Sequence, residues 1–446
     1  MIITINGKKI LNIQMNKIKF DIKWTVFLFI LIFGPPFMPY PHIFLSLISL
    51  LFLLLLYKSD YNKLYCLART SGIHKWIFTM IVLFFYVCIV AFPVSALNDD
   101  IVNLSHYISI INRYGVLCLT VVSCDLLIIY VIKKRNISWN RFVEMLVYAG
   151  LLESFCCVAS YVSPTVKEFF VSSMVRFIGG FEASNWYITV RCYGFASTLV
   201  DLFGFGIALI AGVSFFYGVE YKPRFVLYSV LIAFDALINA RTGVVIYVMA
   251  IVITIAYWAY KGNLKLLSKI LVSLGIIIFL VVLVWNIVST NETSFYWIDS
   301  ALESIKSLLS NKNLNSNTGK MDPLVALFEE QSWALPDGIR IILGTGHSLY
   351  LANGYKHSDI GYINEIWLWG IIGCALLYGT LIKIAKNLLR KSNPSIFKFT
   401  AIYTISAFIV FNIKGIALGY NPGAVVMLLL IFVFTWYSNN EYEGIG

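Results

Sequence analysis

The sequence predicts an all-α, polytopic integral membrane protein with about twelve transmembrane helices and one long extracytoplasmic loop. Hydrophobic residues make up 59% of its 446 positions and charged residues only 13%, which is too apolar for a soluble domain of this length. Apolar runs long enough to cross a bilayer recur along the chain, and basic residues cluster between them. A single membrane domain over residues 1–446 is therefore expected, with the loop at residues 290–361 inside it.

Each predicted span is an apolar run of roughly 17 to 25 residues, because a helix of that length crosses about 30 Å of hydrocarbon. The first run is followed by Gly-Pro-Pro rather than by a small-residue cleavage site, so we interpret it as a span and not as a signal peptide. The predicted spans are 22–39, 40–57, 76–97, 115–132, 142–163, 194–217, 224–240, 243–260, 267–289, 362–382, 399–417 and 421–437.

The basic residues predict the orientation of the chain. Most of the 34 lysines and arginines fall in the N-terminal tail and in the short connections that would share its side of the membrane. Both termini are therefore expected in the cytoplasm. The net charge of +11 follows from this topology and from attraction to lipid headgroups, so no nucleic-acid partner is needed.

Cysteines and paired acids do not predict a metal site. The eight cysteines lie mainly within spans, and without a Cys-x-x-Cys pair we interpret them as small apolar fillers. Asp99 and Asp100 are adjacent just outside the third span. Half of a metal site is the alternative, but a solvated loop is favoured because no histidine or third acid is near in the sequence. No cofactor is predicted.

Two long segments are expected on the extracytoplasmic side, residues 163–193 and 290–361. Within the second, residues 297–309 repeat apolar positions at helical spacing, which predicts an amphipathic helix on the outer leaflet or on the other spans. A loop this long without strong structure of its own is usually functional or disordered. We expect it to form a lid or a substrate cradle.

Three outward arginines lie close to span ends, namely Arg191, Arg241 and Arg340. An arginine at a span centre costs about 2.5 to 3.5 kcal/mol, and less where it reaches the interface. The planar guanidinium group also matches phosphate oxygens with two hydrogen bonds. The three arginines therefore suggest an anionic headgroup as ligand. The alternative is that each is an interfacial anchor or pairs with a local acid.

Five carboxylates fall inside predicted spans: Asp125, Glu153, Asp201, Asp235 and Glu365. Buried carboxylates in membranes are candidates for ion or proton relays, as a proton-coupled transporter would require. Hydrogen bonding between helices is favoured instead for Asp125 and Glu153. Asp201 and Asp235 are alternatively partners that orient the arginines.

Several motifs resemble the Wzy-type O-antigen and capsule repeat-unit polymerases of the O-antigen ligase and polymerase superfamily. Arg191-Cys-Tyr-Gly194 resembles the family's Arg-x-x-Gly, and Ala240-Arg-Thr-Gly243 is similar to its Arg-Thr/Ser-Gly. Gly344-Thr-Gly346, Ser358-Asp-Ile-Gly-Tyr362 and Gly370-Ile-Ile-Gly373 resemble its Gly-x-Gly, Ser-Asp-Asn-Gly-Tyr and Gly-x-x-Gly. The motifs cover about a tenth of the chain, and the predicted topology covers nearly all of it.

The sequence departs from the family pattern at two places. The Pro-Asn that often follows Arg-x-x-Gly is replaced here by Ser197-Thr-Leu-Val-Asp201. Isoleucine replaces the asparagine of Asp-Asn-Gly-Tyr, so a carboxamide role does not carry over. Ligases of the superfamily show His-Asn-x-Tyr/Phe-Leu here. Alignment on Tyr362 puts Asp359, not His357, at that histidine, which favours a polymerase.

The resemblance implies a GT-C-like fold in the bacterial inner membrane and glycosyl transfer on its extracytoplasmic side. The implied donor is a glycan on undecaprenyl diphosphate, and the acceptor is a hydroxyl of a lipid-linked repeat unit. Membrane lipids and a chain-length regulator protein are the other implied partners. The diphosphate leaves as a stable anion, so positive charge from the three arginines would suffice without a metal.

The acceptor hydroxyl would benefit from a base within hydrogen-bond reach. Asp359 and His357 are the nearest candidates by motif, followed by Glu182 and His347. His347 and Tyr362 also join the arginines in the expected substrate-binding set. Alternatively, Asp359 or Ser358 opens the tenth span as an N-cap, and one residue can do both. The rival functions are an O-antigen ligase and a flippase for lipid-linked oligosaccharides.

Overall fold

The computed structural model describes residues 21–38, 41–58, 61–97, 108, 110–178, 192, 194–196, 200–288, 333–347, 358, 360–419 and 421–440. Every regular element in these ranges is a helix. The helices are α1 (21–33), α2 (Pro41–Leu56), α3 (Tyr61–Ser71), α4 (Ile73–Val94), α5 (Ile111–Arg135), α6 (Trp139–Val162), α7 (Pro164–Ile178), α8 (Val200–Glu220), α9 (Arg224–Asn239), α10 (Arg241–Tyr260), α11 (Leu264–Val288), α12 (Arg340–Leu343), α13 (Gly361–Ala385), α14 (Ser395–Phe411) and α15 (Pro422–Asn440).

Each of the twelve predicted spans coincides with one of these helices. Seven helices of the described ranges are long and apolar enough to cross a membrane: α4, α5, α6, α8, α10, α13 and α15. The apolar helices α2 and α14 are shorter. The helical membrane class is thus confirmed, whereas twelve crossings and a GT-C-like arrangement stay predictions.

Besides the four-residue helix α12 in the predicted long loop, two longer helices lie where connections were predicted. Helix α3 buries Leu67, Ala68 and Ser71 and is fixed to the end of α15, where the Asn439 amide donates to the Thr70 carbonyl at 2.7 Å. Helix α7 begins at Pro164, a residue favoured in the first turn. A search for long apolar runs overlooks both helices, because each is short and only partly apolar.

An ionic network at one end of the bundle joins the start of α1, the start of α6 and the connection between α8 and α9. Arg141 donates to Asp21 at 2.9 Å through Nε and to Glu144 at 2.7 Å through Nη1. Lys222 forms an ion pair with the same Glu144, and the Tyr217 hydroxyl donates to it at 3.2 Å. The connections that we predicted on one side of the membrane therefore do lie together.

The last helix ends beside this network, since the Tyr437 hydroxyl donates to the Ile137 carbonyl at 2.7 Å. Both ends of the described chain thus lie at one end of the bundle, which we call the ionic end. Helix α9 starts there, two residues after Lys222, and its 16 residues span about 24 Å. Asn239 therefore lies near the opposite end, which we call the motif end.

Helices α8 and α15 form the centre of the bundle, and almost all of their residues are buried. A helix that is apolar all round is expected to be enclosed by others. Near the motif end, Phe205 of α8 stacks on Phe411 of α14 with ring centroids 4.4 Å apart. Closer to the ionic end, the Tyr403 hydroxyl donates to the Ala208 carbonyl at 2.7 Å. This packing makes α8 a rigid support for the motif segments.

Candidate functional site

Side chains from two helices hold the segment that follows Arg191. The Asn239 amide makes two hydrogen bonds to the backbone of Cys192, accepting from its N–H and donating to its carbonyl, both at 3.1 Å. The Phe195 N–H donates to the Glu153 carboxyl at 3.1 Å. Glu153 and Asn239 are fully or almost fully buried. Residues 192 and 194–196 are therefore held between α6 and α9.

Gly194, the last residue of Arg-x-x-Gly, lies directly against α6. A Cβ atom there would lie 2.7 Å from the Glu153 carboxyl oxygen and 3.0 Å from the Cys157 nitrogen. The second contact is with backbone, which cannot rotate away. Close approach to α6 explains this glycine without a catalytic role.

Glutamine at position 153 is expected to preserve the fold, whereas leucine is not. The glutamine carbonyl can still accept the Phe195 N–H bond, but leucine leaves that buried donor without a partner. An unpaired buried donor costs about 1 to 3 kcal/mol. Thermal unfolding of the purified variants in detergent checks this, and equal melting of Glu153→Leu and Glu153→Gln would contradict it.

The Arg-Thr-Gly segment forms a tight junction between α9 and α10. Helix α9 ends at Asn239, Ala240 is extended (φ −155°, ψ 111°), and α10 begins at Arg241 without a side-chain cap. A Cβ atom on Gly243 would lie 2.7 Å from the Gly204 carbonyl oxygen of α8. This glycine therefore lets α8 and α10 meet backbone to backbone.

Alanine at Gly243 is expected to lower the thermal stability of the protein. The added methyl group collides with backbone, and overpacking of this kind costs about 1 to 3 kcal/mol. Gly275 of α11 is the matched control, because a Cβ atom there meets nothing within 4 Å. Size-exclusion profiles after heating give the melting temperatures. A Gly243→Ala variant that melts no lower than Gly275→Ala would refute the close contact.

Helix α13 is broken at Gly370, which has φ 64° and ψ 178°. The break leaves the carbonyls of Trp367 and Leu368 without their helical donors. The N–H of Thr345 donates to the first at 2.7 Å and the N–H of Gly346 to the second at 3.2 Å. Irregular backbone within a membrane protein requires such internal partners.

The Gly-x-Gly and Gly-x-x-Gly motifs are thus two halves of one structure. We call residues 344–346 together with residues 367–370 the backbone lock. Gly344 also has a positive φ of 78°, and a Cβ atom on it would lie 2.6 Å from the Gly370 nitrogen. The hydrogen bonds of the lock hold residues 344–346 of the predicted long loop against the middle of α13.

The start of α13 differs from the predicted cap. Its N-cap residue is Ile360, and no side chain caps the helix. The Ser358 hydroxyl accepts from the N–H of Ile360, at 3.2 Å, and not from an N–H of the first helical turn. The N–H of Tyr362 donates instead to the Asn412 carbonyl at 3.3 Å. Capping by Ser358 was therefore wrong, because the loop after α14 serves that end.

Glu365 is buried and bonds to the far part of its own helix and to the residue that caps the end of α14. The Tyr378 hydroxyl and the Asn412 amide both donate to its carboxyl, the amide at 3.1 Å. We expected hydrogen bonding between helices for Glu153 and Asp125. Glu153 is hydrogen-bonded, but to the Phe195 N–H in the segment before α8 and to Cys157 of its own helix. For Asp125 the expectation was wrong, since its buried carboxyl has no hydrogen-bond partner in the described part of the chain.

Four of the expected site residues are placed in whole or in part. Arg340 opens α12 and lies 3.6 Å from the Asp337 carboxyl, which is the local pairing considered as its alternative. His347 is buried, and its backbone N–H donates to the Thr345 hydroxyl at 3.2 Å. The Tyr362 hydroxyl donates to the Ile409 carbonyl at 2.7 Å. Arg241 is described by its backbone only.

The other expected site residues, Asp359, His357, Glu182 and Arg191, lie outside the described residues, as do residues 297–309. Two asparagines that were not singled out from the sequence contact motif segments: the Asn239 amide bonds to the Cys192 backbone, and the Asn412 backbone carbonyl accepts from the Tyr362 N–H. Burial raises the pKa of the Cys192 thiol, which disfavours its thiolate form.

Three of the motif segments have described parts on one face at the motif end, at Cys192, at residues 240–243 and at residues 361–362, whereas the backbone lock holds the other two at the middle of α13. Such a face can hold an anionic headgroup if the arginines that flank it turn inward. No family model, no curated protein and no solved structure matches this chain.

Proposed function

We propose that this protein polymerises polysaccharide repeat units by glycosyl transfer from undecaprenyl-diphosphate-linked glycan, at the extracytoplasmic surface of the bacterial inner membrane. The observation that carries the proposal is the pair of bonds between Asn239 and Cys192. They join the segment after Arg191 to the junction before Arg241. Two motifs that are 50 residues apart in sequence thus meet at one place.

Positive charge is the main requirement of the reaction. The acceptor hydroxyl oxygen forms a bond to the anomeric carbon, the bond to the diphosphate oxygen breaks, and undecaprenyl diphosphate leaves. Arg241 would stabilise the developing negative charge on the diphosphate. Helix α10 starts at this residue without a side-chain cap, so its N-terminal dipole adds to the attraction. Arg191 and Arg340 are the further proposed cations.

The proton of the acceptor hydroxyl needs a destination. We assign it to Asp359, with His357, Glu182 and His347 as the other candidates and Tyr362 as a substrate contact. The asparagine variant of Asp359 is similar in size but accepts no proton. Polymer formation is therefore expected to fall by about 10²- to 10⁴-fold.

Banding gels of glycan from complemented cells measure that loss. Glu168→Gln is the control, because this exposed carboxylate lies in α7, on the predicted extracytoplasmic side, and outside the proposed site. Near-normal polymer from Asp359→Asn would show that Asp359 is not the base.

The broken helix α13 favours a second candidate function. Transporters bind substrates at discontinuous helices, so a flippase for lipid-linked oligosaccharide is the rival, and an O-antigen ligase is the third candidate. A deletion strain separates them. Cells that carry a single repeat unit on the lipid A core lack a polymerase, whereas cells without any repeat unit lack flipping or ligation. The proposal predicts the single repeat.

A further inference from the structure

We propose that Asn239 is a positioning residue that holds the segment beginning at Cys192 against the first turn of α10, and so sets the affinity of the motif end for an isoprenyl diphosphate. The inference rests on the proposed function, because it takes Arg241 as the group that binds the diphosphate. Asn239 would not touch the substrate itself.

The carboxamide of Asn239 is fully used. It pairs with both backbone groups of Cys192 at 3.1 Å, and the same nitrogen lies 3.8 Å from the Cys157 sulfur. The residue is 3% exposed. A carboxamide carries its acceptor and its donor on two separate atoms, as the N–H and the carbonyl of Cys192 require. Aspartate would turn an acceptor oxygen toward the Cys192 carbonyl, and leucine would offer neither group.

The junction after Asn239 transmits this hold to Arg241. Only Ala240 separates the two residues, and it is extended and 4% exposed. A Cβ atom on Gly204 would lie 2.5 Å from the Ala240 side chain, so α8 closes the junction from the other side. The start of α10 therefore packs against α8, and Asn239, the residue immediately before the junction, bonds to the Cys192 segment. Loss of the Asn239 bonds releases that segment from the junction.

Asn393 offers a matched control at the ionic end. It is 5% exposed, and its amide donates to the carbonyls of Asn387 and Leu388 at 3.0 and 3.1 Å. Its carbonyl accepts from the Ser438 hydroxyl at 2.9 Å. It is thus as thoroughly bonded as Asn239 but lies far from Arg241. A purely structural effect of removing a buried asparagine would appear in both variants.

A double-mutant cycle on the purified full-length protein tests the inference, with farnesyl diphosphate binding measured by calorimetry. Asn239→Leu is expected to weaken binding about tenfold, the effect of two ordinary hydrogen bonds. In the Arg241→Ala background the same change is expected to cause no further loss of affinity, because the group that Asn239 positions is then absent. Asn393→Leu is expected to leave affinity unchanged. Asn239→Asp replaces the leucine variant if that does not purify, and the same loss is expected.

Unchanged affinity of the position-239 variants, or losses that add to that of Arg241→Ala, would overturn the inference. Equal binding by wild-type protein and Arg241→Ala would also overturn it, because its premise would fail. A wild-type protein that binds the probe and obeys the cycle but makes no polymer would refute the polymerase and leave the positioning role intact.

Discussion

Alanine in place of Gly370 is expected to abolish recovery of folded protein. Gly370 has φ 64° and ψ 178°, a region that essentially only glycine occupies. A Cβ atom there would lie 2.3 Å from the Ile342 carbonyl oxygen and 2.4 Å from the Gly344 nitrogen, and both are backbone atoms. Strain and collision together cost more than about 3 kcal/mol. That is a large fraction of the stability of a typical domain.

The collision also opens the backbone lock. Thr345 and Gly346 would lose their carbonyl partners, and the polar groups left inside the bundle would add to the cost. Gly379→Ala is the control in the same helix, because a Cβ atom there meets nothing within 4 Å. Alanine favours helix by up to about 1 kcal/mol, so this variant should be neutral or slightly stabilised. Detergent extraction followed by size exclusion measures both variants. Equal recovery of folded Gly370→Ala and Gly379→Ala would show that the break in α13 is not fixed by Gly370.

Arg241→Ala is expected to abolish long-chain polysaccharide while the protein stays in the membrane at its normal level. Alanine is the best helix former, so α10 can still begin at this position. What is lost is the positive charge that we propose faces the diphosphate. Loss of one donor that stabilises developing negative charge typically lowers the rate about 10²- to 10³-fold. Lysine keeps the charge but not the fork, so Arg241→Lys should retain part of the activity.

Arg224→Ala is the matched control for this prediction. Arg224 is also the first residue of a helix, but it starts α9 at the ionic end. Its loss should leave polymer length unchanged. Glycan banding gels and membrane immunoblots from complemented deletion cells measure both variants. Normal polymer from Arg241→Ala would remove the arginine from the mechanism.

The positions of the helices could be predicted from the long apolar runs. A backbone that lies in lipid finds no water to bond, so its N–H and carbonyl groups pair within a helix. The break in α13 could not be predicted in the same way. It depends on bonds between residues about 22 positions apart, such as Thr345 to Trp367, and the apolar sequence around Gly370 reads as continuous. Helix α3 escaped prediction because its burial comes from contact with α15, which a local pattern does not contain.

The candidate site divides along the same line. The resemblance grouped the motif segments, and Cys192 does bond to Asn239, the residue before Ala240-Arg-Thr-Gly243. The glycines of these motifs proved to have packing roles, as Gly194 against α6 and Gly243 against α8 demonstrate. Asn239 was overlooked because its importance lies in a distant backbone partner. Asp359 and the arginine side chains stay predictions.

Polymerisation by the purified protein in liposomes tests the central claim most directly. The substrate is undecaprenyl-diphosphate-linked repeat unit, and the readout is glycan length together with released undecaprenyl diphosphate. Wild-type protein is predicted to produce a ladder of several repeats with one lipid diphosphate released per linkage, and Arg241→Ala is predicted to produce neither. Folded wild-type protein that leaves every glycan at one repeat unit, or that only moves it across the bilayer, would contradict the claim.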